Sequence, residues 1–142
     1  MTTVATDGRT MAADRMVCGG GGIKHGQTTK IFHADNGDVV GAAGDSFRIA
    51  AFVRWYNGDR VDPFEANPED FEALVLKSDG TTLCFNFAGD FIVESGPHAA
   101  IGSGSGVALG ALDAGASPVK AIEIASRRDI YTGGGVDELQ PR

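Results

Sequence analysis

The sequence predicts an α+β fold, with antiparallel strands in sheets packed together and helices outside. Three observations carry this expectation. Short strand-like runs are separated by turn signals at Asp7-Gly8, Asp35-Asn36-Gly37-Asp38 and Asp79-Gly80. Helix-period patterns are confined to the segment after Asp45 and to the stretch between Val107 and Arg128. Strands and helices therefore come in separate blocks: hairpins, helix, hairpin, helix pair, strand.

The elements follow in order. Thr2 to Thr6 is β-branched and alternating, Asp7-Gly8 reads as a two-residue turn, and Thr10 to Asp14 returns as the second arm of a hairpin. Arg15 to Thr29 is a Gly-rich connection that includes Gly19 to Gly22. Lys30 to Ala34 and Val39 to Ala43 flank the Asp35–Asp38 turn and form a second hairpin. From Asp45 the period changes: Phe47, Ala50, Ala51, Val53, Arg54 and Trp55 suit an amphipathic helix capped by Asp45 or Ser46. Tyr56 to Pro68, rich in Asp, Asn, Pro and Glu, is the loosest stretch. Phe71 to Leu76 and Thr82 to Phe87 make a third hairpin, with a further short strand at Phe91 to Glu94. Ala99 to Ile101 is a strand entering the Gly-Ser run Gly102 to Gly106. Val107 to Ala114 and Ser117 to Arg128 read as two helices, the second with Ser117 as cap and Pro118 at its first position. Ile130 to Thr132, Gly133 to Gly135 and Val136 to Leu139 close the chain.

The chain has 142 residues, enough for one domain spanning 1–142 with one core. Hydrophobic residues make up 42% and charged residues 22%, an ordinary globular composition. The net charge of −7 disfavours nucleic acid or an anionic membrane as partner, because phosphate binding needs clustered Lys and Arg. Here the basic residues are scattered, and Arg127-Arg128 is the one adjacent pair. No apolar run approaches the roughly 20 residues of a membrane span. Met-Thr-Thr-Val lacks the basic start and apolar stretch of a signal peptide. Cys18 and Cys84 lie too far apart for a zinc knuckle and are too few for a disulfide framework, so a cytoplasmic location is expected.

Two nucleotide signatures fail. Gly21 to Thr28 resembles a phosphate loop, but Gln27 stands where the Lys must reach the phosphates. Gly102-Ser103-Gly104-Ser105-Gly106 lacks the spacing of a dinucleotide fingerprint and its acidic partner. His25, His33 and His98 show no i, i+4 pairing, so neither a metal nor a cofactor is expected. Thr2 behind Met1 is the sharper feature. Initiator Met is usually trimmed before a small residue, which frees an α-amine on Thr2. Such an amine titrates near ~8 and can serve as a general base at neutral pH. A Thr with its own amine is a nucleophile and base in one residue.

The opening T-T-V-A-T-D-G followed by A-A-Asp14 resembles the start of proteasome β-subunits and HslV, which are N-terminal-nucleophile hydrolases. Lys30 lies 30 − 14 = 16 residues beyond Asp14, and Gly44 lies 44 − 30 = 14 beyond Lys30, intervals similar to those of the family's Asp, Lys and oxyanion-hole Gly. V-V-G-A-A-G-D-S before a helix, A-I-G-S-G-S-G-V-A-L-G and R-D-I-Y-T-G-G-G also resemble family motifs, in the family's order. The resemblance implies a four-layer α-β-β-α sandwich and a threonine-type endopeptidase acting on unfolded polypeptide. Thr2 would be the nucleophile, Lys30 an ammonium beside it, Asp14 the counter-charge orienting Lys30, and Gly44 an oxyanion donor. Ser103 and Asp129 would hold the Thr2 amine, with Thr132 in the place of the family's Ser. A homo-oligomeric ring or barrel and an AAA+ unfoldase are implied as partners.

The chain departs from the pattern in length. The first hairpin is clipped, four glycines fill the loop after Arg15, and the stretch after Tyr56 is too short and Pro-interrupted for the family's second long helix. The expectation is therefore a shortened member. Two rival readings stand beside it: an inactive scaffold subunit that keeps Met1, and an amidase for a small non-peptide substrate.

Overall fold

The computed structural model describes residues 2–44, 46–58, 71–86 and 91–142. The strands are β1 (Thr3–Thr6), β2 (Met11–Asp14), β3 (Met16–Cys18), β4 (Lys24–Gln27), β5 (Ile31–His33), β6 (Val39–Gly44), β7 (Phe71–Leu76), β8 (Thr82–Asn86), β9 (Phe91–Ser95), β10 (Ala99–Gly102) and β11 (Val136–Leu139). The helices are α1 (Ser46–Asn57), α2 (Ser105–Asp113) and α3 (Pro118–Ser126). The two larger sheets run in the orders β10-β1-β2-β11 and β5-β6-β7-β8-β9, and β3 and β4 form a separate two-stranded sheet. Every pairing in both is antiparallel.

Strand alternation sorts the apolar residues into three interfaces. Val4, Met11 and Ala13 of the first sheet face Ile31, Val39, Leu74 and Leu76 of the second, forming the core between sheets. On the outer side of the first sheet, Ala5 and Ala12 pack beneath Ala108, Leu112, Ala121, Ile122 and Ala125 of α2 and α3. On the outer side of the second, Val40, Ala42, Ala73, Val75 and Phe85 pack against Phe52 and Tyr56 of α1. Phe52 is the hub there, with ring centroids 5.2 Å from Phe85 and 5.3 Å from Phe71. The result is the expected helix–sheet–sheet–helix stack. At Gly41, in the middle of β6, the first sheet leaves no room for a side chain. A Cβ there would lie 2.7 Å from Val4 Cγ1, 2.9 Å from Met11 Sδ and 3.0 Å from Ile31 Cγ2. Gly41→Ala should therefore overpack the core and lower stability by about 1–3 kcal/mol in chemical denaturation.

Several sequence expectations need correction. The turn after β1 has four residues, not two, because Thr6 pairs with Met11. Asp7 shapes it by accepting the amides of Arg9 and Thr10, both at 2.9 Å, so side-chain chemistry rather than a tight Asp-Gly turn sets the register. Arg15 to Thr29 is no mere connection. It folds as the β3–β4 hairpin, in which Met16 pairs with Gln27 and a glycine turn at Gly20–Gly22, with Gly21 and Gly22 at φ +73° and +77°, reverses the chain. Its glycines masked the strand pattern. The helix after the Gly-Ser run begins at Ser105, two residues earlier than expected. At α3, by contrast, Ser117 accepts the Lys120 amide at 3.2 Å and Pro118 opens the helix, as its sequence predicts. Asp45, the loose Tyr56–Pro68 stretch from residue 59 onward, and Phe87 at the end of the third hairpin lie outside the described residues. Among the described residues no helix is long and apolar enough to cross a membrane.

Candidate functional site

Alternation along β1 sends Val4 between the sheets and Ala5 toward the helices. Carried two steps back toward the amino terminus, it assigns Thr3 to the helix side and Thr2 to the inter-sheet side. Thr2 is 3% exposed, and its carbonyl accepts the Ser103 amide at 2.9 Å. The turn that brings Ser103 there depends on Gly102, whose φ is +93°. A Cβ on Gly102 would lie 1.7 Å from the Thr2 carbonyl oxygen, so only glycine permits this approach.

Asp14 ends β2 and is fully buried. Its Oδ1 accepts the Thr3 amide at 3.0 Å, and its Oδ2 accepts the amides of Met16 at 3.3 Å and Gly133 at 3.1 Å. One carboxylate thus pins the strand bearing Thr2, the start of β3 and the glycine loop before β11. Lys30 Nζ donates to Asp14 Oδ1 at 2.9 Å and to the Met16 carbonyl at 2.7 Å, with its side chain 4% exposed. Burial pushes the Lys30 ammonium below the ordinary lysine value of 10.5, and the attraction of Asp14 offsets only part of that. This is a buried, hydrogen-bonded ion pair, and breaking a pair of this kind is costly.

A second carboxylate group is linked to Thr2 through Ser103, whose amide bonds the Thr2 carbonyl. Asp129 Oδ2 accepts Ser103 Oγ at 2.5 Å and Thr132 Oγ1 at 2.6 Å, while Oδ1 accepts the Tyr131 amide at 3.2 Å. Partial burial pushes the Asp129 carboxyl up, but the donations from Ser103, Thr132 and the Tyr131 amide outweigh it and hold the group below the usual range. Asp129 is therefore an anion at neutral pH.

Thr2, Lys30 and Gly44 line one cavity of about 580 Å³. Its remaining wall comes from Met16, Val17 and Cys18 of β3, Thr28 and Thr29, Phe32 of β5, and Ile49, Ala50 and Val53 of α1. The β3–β4 hairpin, read from sequence as a Gly-rich connection, is what supplies one side of it. Gly44 ends β6 with φ +130°, at the point where the chain turns into α1.

All seven residues singled out in the sequence fall within this region. Thr2, Lys30 and Gly44 share the cavity, Asp14 reaches it through Lys30, and Ser103, Asp129 and Thr132 form one hydroxyl–carboxylate group against Thr2's backbone. Arg15 pairs with Asp137 of β11. Sequence reasoning missed Thr3 and the amide donors of Met16 and Gly133. The paired threonines carried a usable signal, since adjacent residues on a strand face opposite sides. Among the described residues no group of three or more His, Cys, Asp or Glu side chains gathers to hold a metal ion.

No family model matches the chain, and no curated protein sequence matches it. Solved structures do. BPH from Thiobacillus denitrificans superposes with a TM-score of 0.72 at 19% identity, over 99% of each chain. The same protein in complex with epoxomicin gives 0.74 at 16% identity over the full length of both. HslV from Trypanosoma brucei gives 0.69 at 21% identity, over 97% of this chain and 98% of its own. The fold is that of proteasome-like N-terminal-nucleophile hydrolase structures.

Proposed function

We propose that this chain is a threonine-type endopeptidase of the proteasome-like and HslV-like kind, one domain over 1–142, with Thr2 as nucleophile once Met1 is removed. The observation that carries this reading is that Thr2 and the ammonium of Lys30 line the same cavity, with Lys30 held by the fully buried Asp14. In the reaction, the Thr2 amine, directly or through a water, takes the proton from Thr2 Oγ1 as that oxygen attacks the scissile carbonyl. The Lys30 ammonium favours the developing alkoxide through its field. The Gly44 N–H stabilises the tetrahedral oxyanion, a contribution of about 3 kcal/mol to the barrier. Collapse expels the peptide amine, which receives the proton, and leaves an ester on Thr2. Water then hydrolyses the ester by the same proton route. Asp129, with Ser103 and Thr132, holds the Thr2 amine and balances its charge when protonated.

The apolar wall of Val17, Phe32, Ile49, Ala50 and Val53 favours an apolar side chain before the cleaved bond. A nucleophile of this kind selects little by itself, so access is restricted by assembly into a homo-oligomeric ring or barrel, fed by an AAA+ unfoldase. The neighbour solved with epoxomicin supplies the probe for the test. Purified protein should begin at Thr2 by mass spectrometry, gain one epoxomicin on Thr2, and hydrolyse fluorogenic peptides with an apolar residue before the fluorophore. Retained Met1 with no labelling would favour a scaffold role, and turnover of small amides alone would favour an amidase. A monomer in native mass spectrometry overturns the enclosed-assembly part.

A further inference from the structure

Thr3 is buried, and its side chain lies on the face of β1 away from the cavity. Nothing in the proposed chemistry uses it, yet it is bonded into the networks of both carboxylates, Asp14 and Asp129. Its amide donates to Asp14 Oδ1 at 3.0 Å. Its Oγ1 accepts the Gly104 amide at 3.0 Å and lies 2.6 Å from Thr132 Oγ1. A hydroxyl has one proton, which fixes the direction of the chain. Thr132 Oγ1 gives its proton to Asp129 Oδ2 at 2.6 Å, so the short contact between the two threonines must use the proton of Thr3. The sequence of donations is Gly104 N–H to Thr3, Thr3 to Thr132, and Thr132 to Asp129, where Ser103 Oγ donates as well. Space is closed around this chain: a Cβ on Gly104 would lie 2.4 Å from Thr3 Oγ1 and 3.0 Å from Thr132 Oγ1.

We infer that Thr3 is a positioning residue of the Thr2 site, tying both flanking carboxylates, Asp14 and Asp129, to the strand on which Thr2 stands. The amide fixes the Lys30 side, and the hydroxyl, acting through Thr132, fixes the side that holds the Thr2 amine. The inference rests on the proposed function, since the effect it predicts is on peptide-bond hydrolysis at Thr2.

Thr3→Val keeps shape and amide and removes the hydroxyl; Thr3→Ser restores it. The expected result is a kcat lowered by about tenfold or more in Thr3→Val, with KM within about twofold, because the substrate cavity is untouched. Thr3→Ser should return to within about threefold of the wild type. Thr132→Val should cost no more in combination with Thr3→Val than alone, since the two break one chain. Wild-type kcat in Thr3→Val, a loss that Thr3→Ser fails to rescue, or additive losses in the double variant would each overturn the inference. If Thr3→Val does not fold, Thr3→Ala, which presses no methyl on the Gly104 amide, is measured in its place with the same expectations. A wild-type protein that neither takes up epoxomicin nor hydrolyses peptides removes the proposed function and this inference with it. An active wild type with an indifferent Thr3 removes the inference alone.

Discussion

Lys30→Met should yield a folded protein with peptide hydrolysis lowered on the order of 10³-fold in kcat. The contrast with Asp14 makes the substitution informative. Removing the ammonium leaves a buried carboxylate, but that carboxylate still accepts three amides, from Thr3, Met16 and Gly133. The cost should fall at the lower end of the roughly 3–5 kcal/mol typical of a broken buried pair, and the Met side chain refills the volume. Asp14→Ala strands those three amides as well as the buried ammonium. At about 1–3 kcal/mol per unsatisfied amide, the sum approaches the whole of a typical domain stability of about 5–15 kcal/mol. Asp14→Ala is therefore expected to lose its cooperative thermal transition, whereas Lys30→Met keeps one. A Lys30→Met variant that folds and hydrolyses at the wild-type rate would remove Lys30 from the chemistry.

The same residue sets an expectation for pH. Burial lowers the folded-state Lys30 value below the ordinary 10.5. In the window between the lowered value and 10.5 the unfolded chain binds more protons at this site than the native one. Lys30's contribution to stability therefore rises with pH there. Activity runs the other way, because the proposed chemistry needs the ammonium. Hydrolysis should decline on the alkaline side below pH 10.5, while Lys30 itself gives no impulse to unfold.

Much of this architecture is legible in the sequence, and the reason is periodicity together with local turn and cap chemistry. The alternation in Thr2 to Thr6 marks a strand with two distinct faces, and both faces turned out to be covered; Phe71 to Leu76, read as a strand from the turn beside it, is likewise covered along nearly its whole length. Ser117-Pro118 announced a helix start by cap chemistry that depends on neighbouring residues alone. The β3–β4 hairpin was not legible. Its second strand, Lys-His-Gly-Gln, is exposed throughout and has no apolar face to create a pattern. The site was legible only in part. Asp14, Lys30 and Gly44 stood out only because their intervals resemble those of proteasome β-subunits and HslV, whereas the threefold amide coordination of Asp14 draws on segments far apart in the chain. The direction of donation through Thr3 and Thr132, residues 129 apart, likewise exists only in the folded molecule.

Thr2→Ala should abolish epoxomicin uptake and lower peptide hydrolysis on the order of 10⁴-fold or more, the largest loss expected for any single replacement. Alanine is small enough for Met1 to be trimmed as before, so the amine survives while the attacking oxygen is lost. The backbone should hold still, since the Ser103 amide bonds the Thr2 carbonyl and Gly102 packs against it whatever the side chain. Thr2→Ser separates the oxygen from the methyl. Serine keeps both oxygen and amine, but it loses the β-branch that restricts χ1 and can turn its hydroxyl away from Lys30. Activity should fall by about tenfold, with KM little changed, and epoxomicin should still add at residue 2 more slowly. Both variants should melt close to the wild type, because Asp14, Lys30 and the Thr3 amide keep their partners. Should Thr2→Ala retain hydrolysis, the reacting oxygen is not on Thr2, and the cavity lined by Thr2, Lys30 and Gly44 belongs to another chemistry.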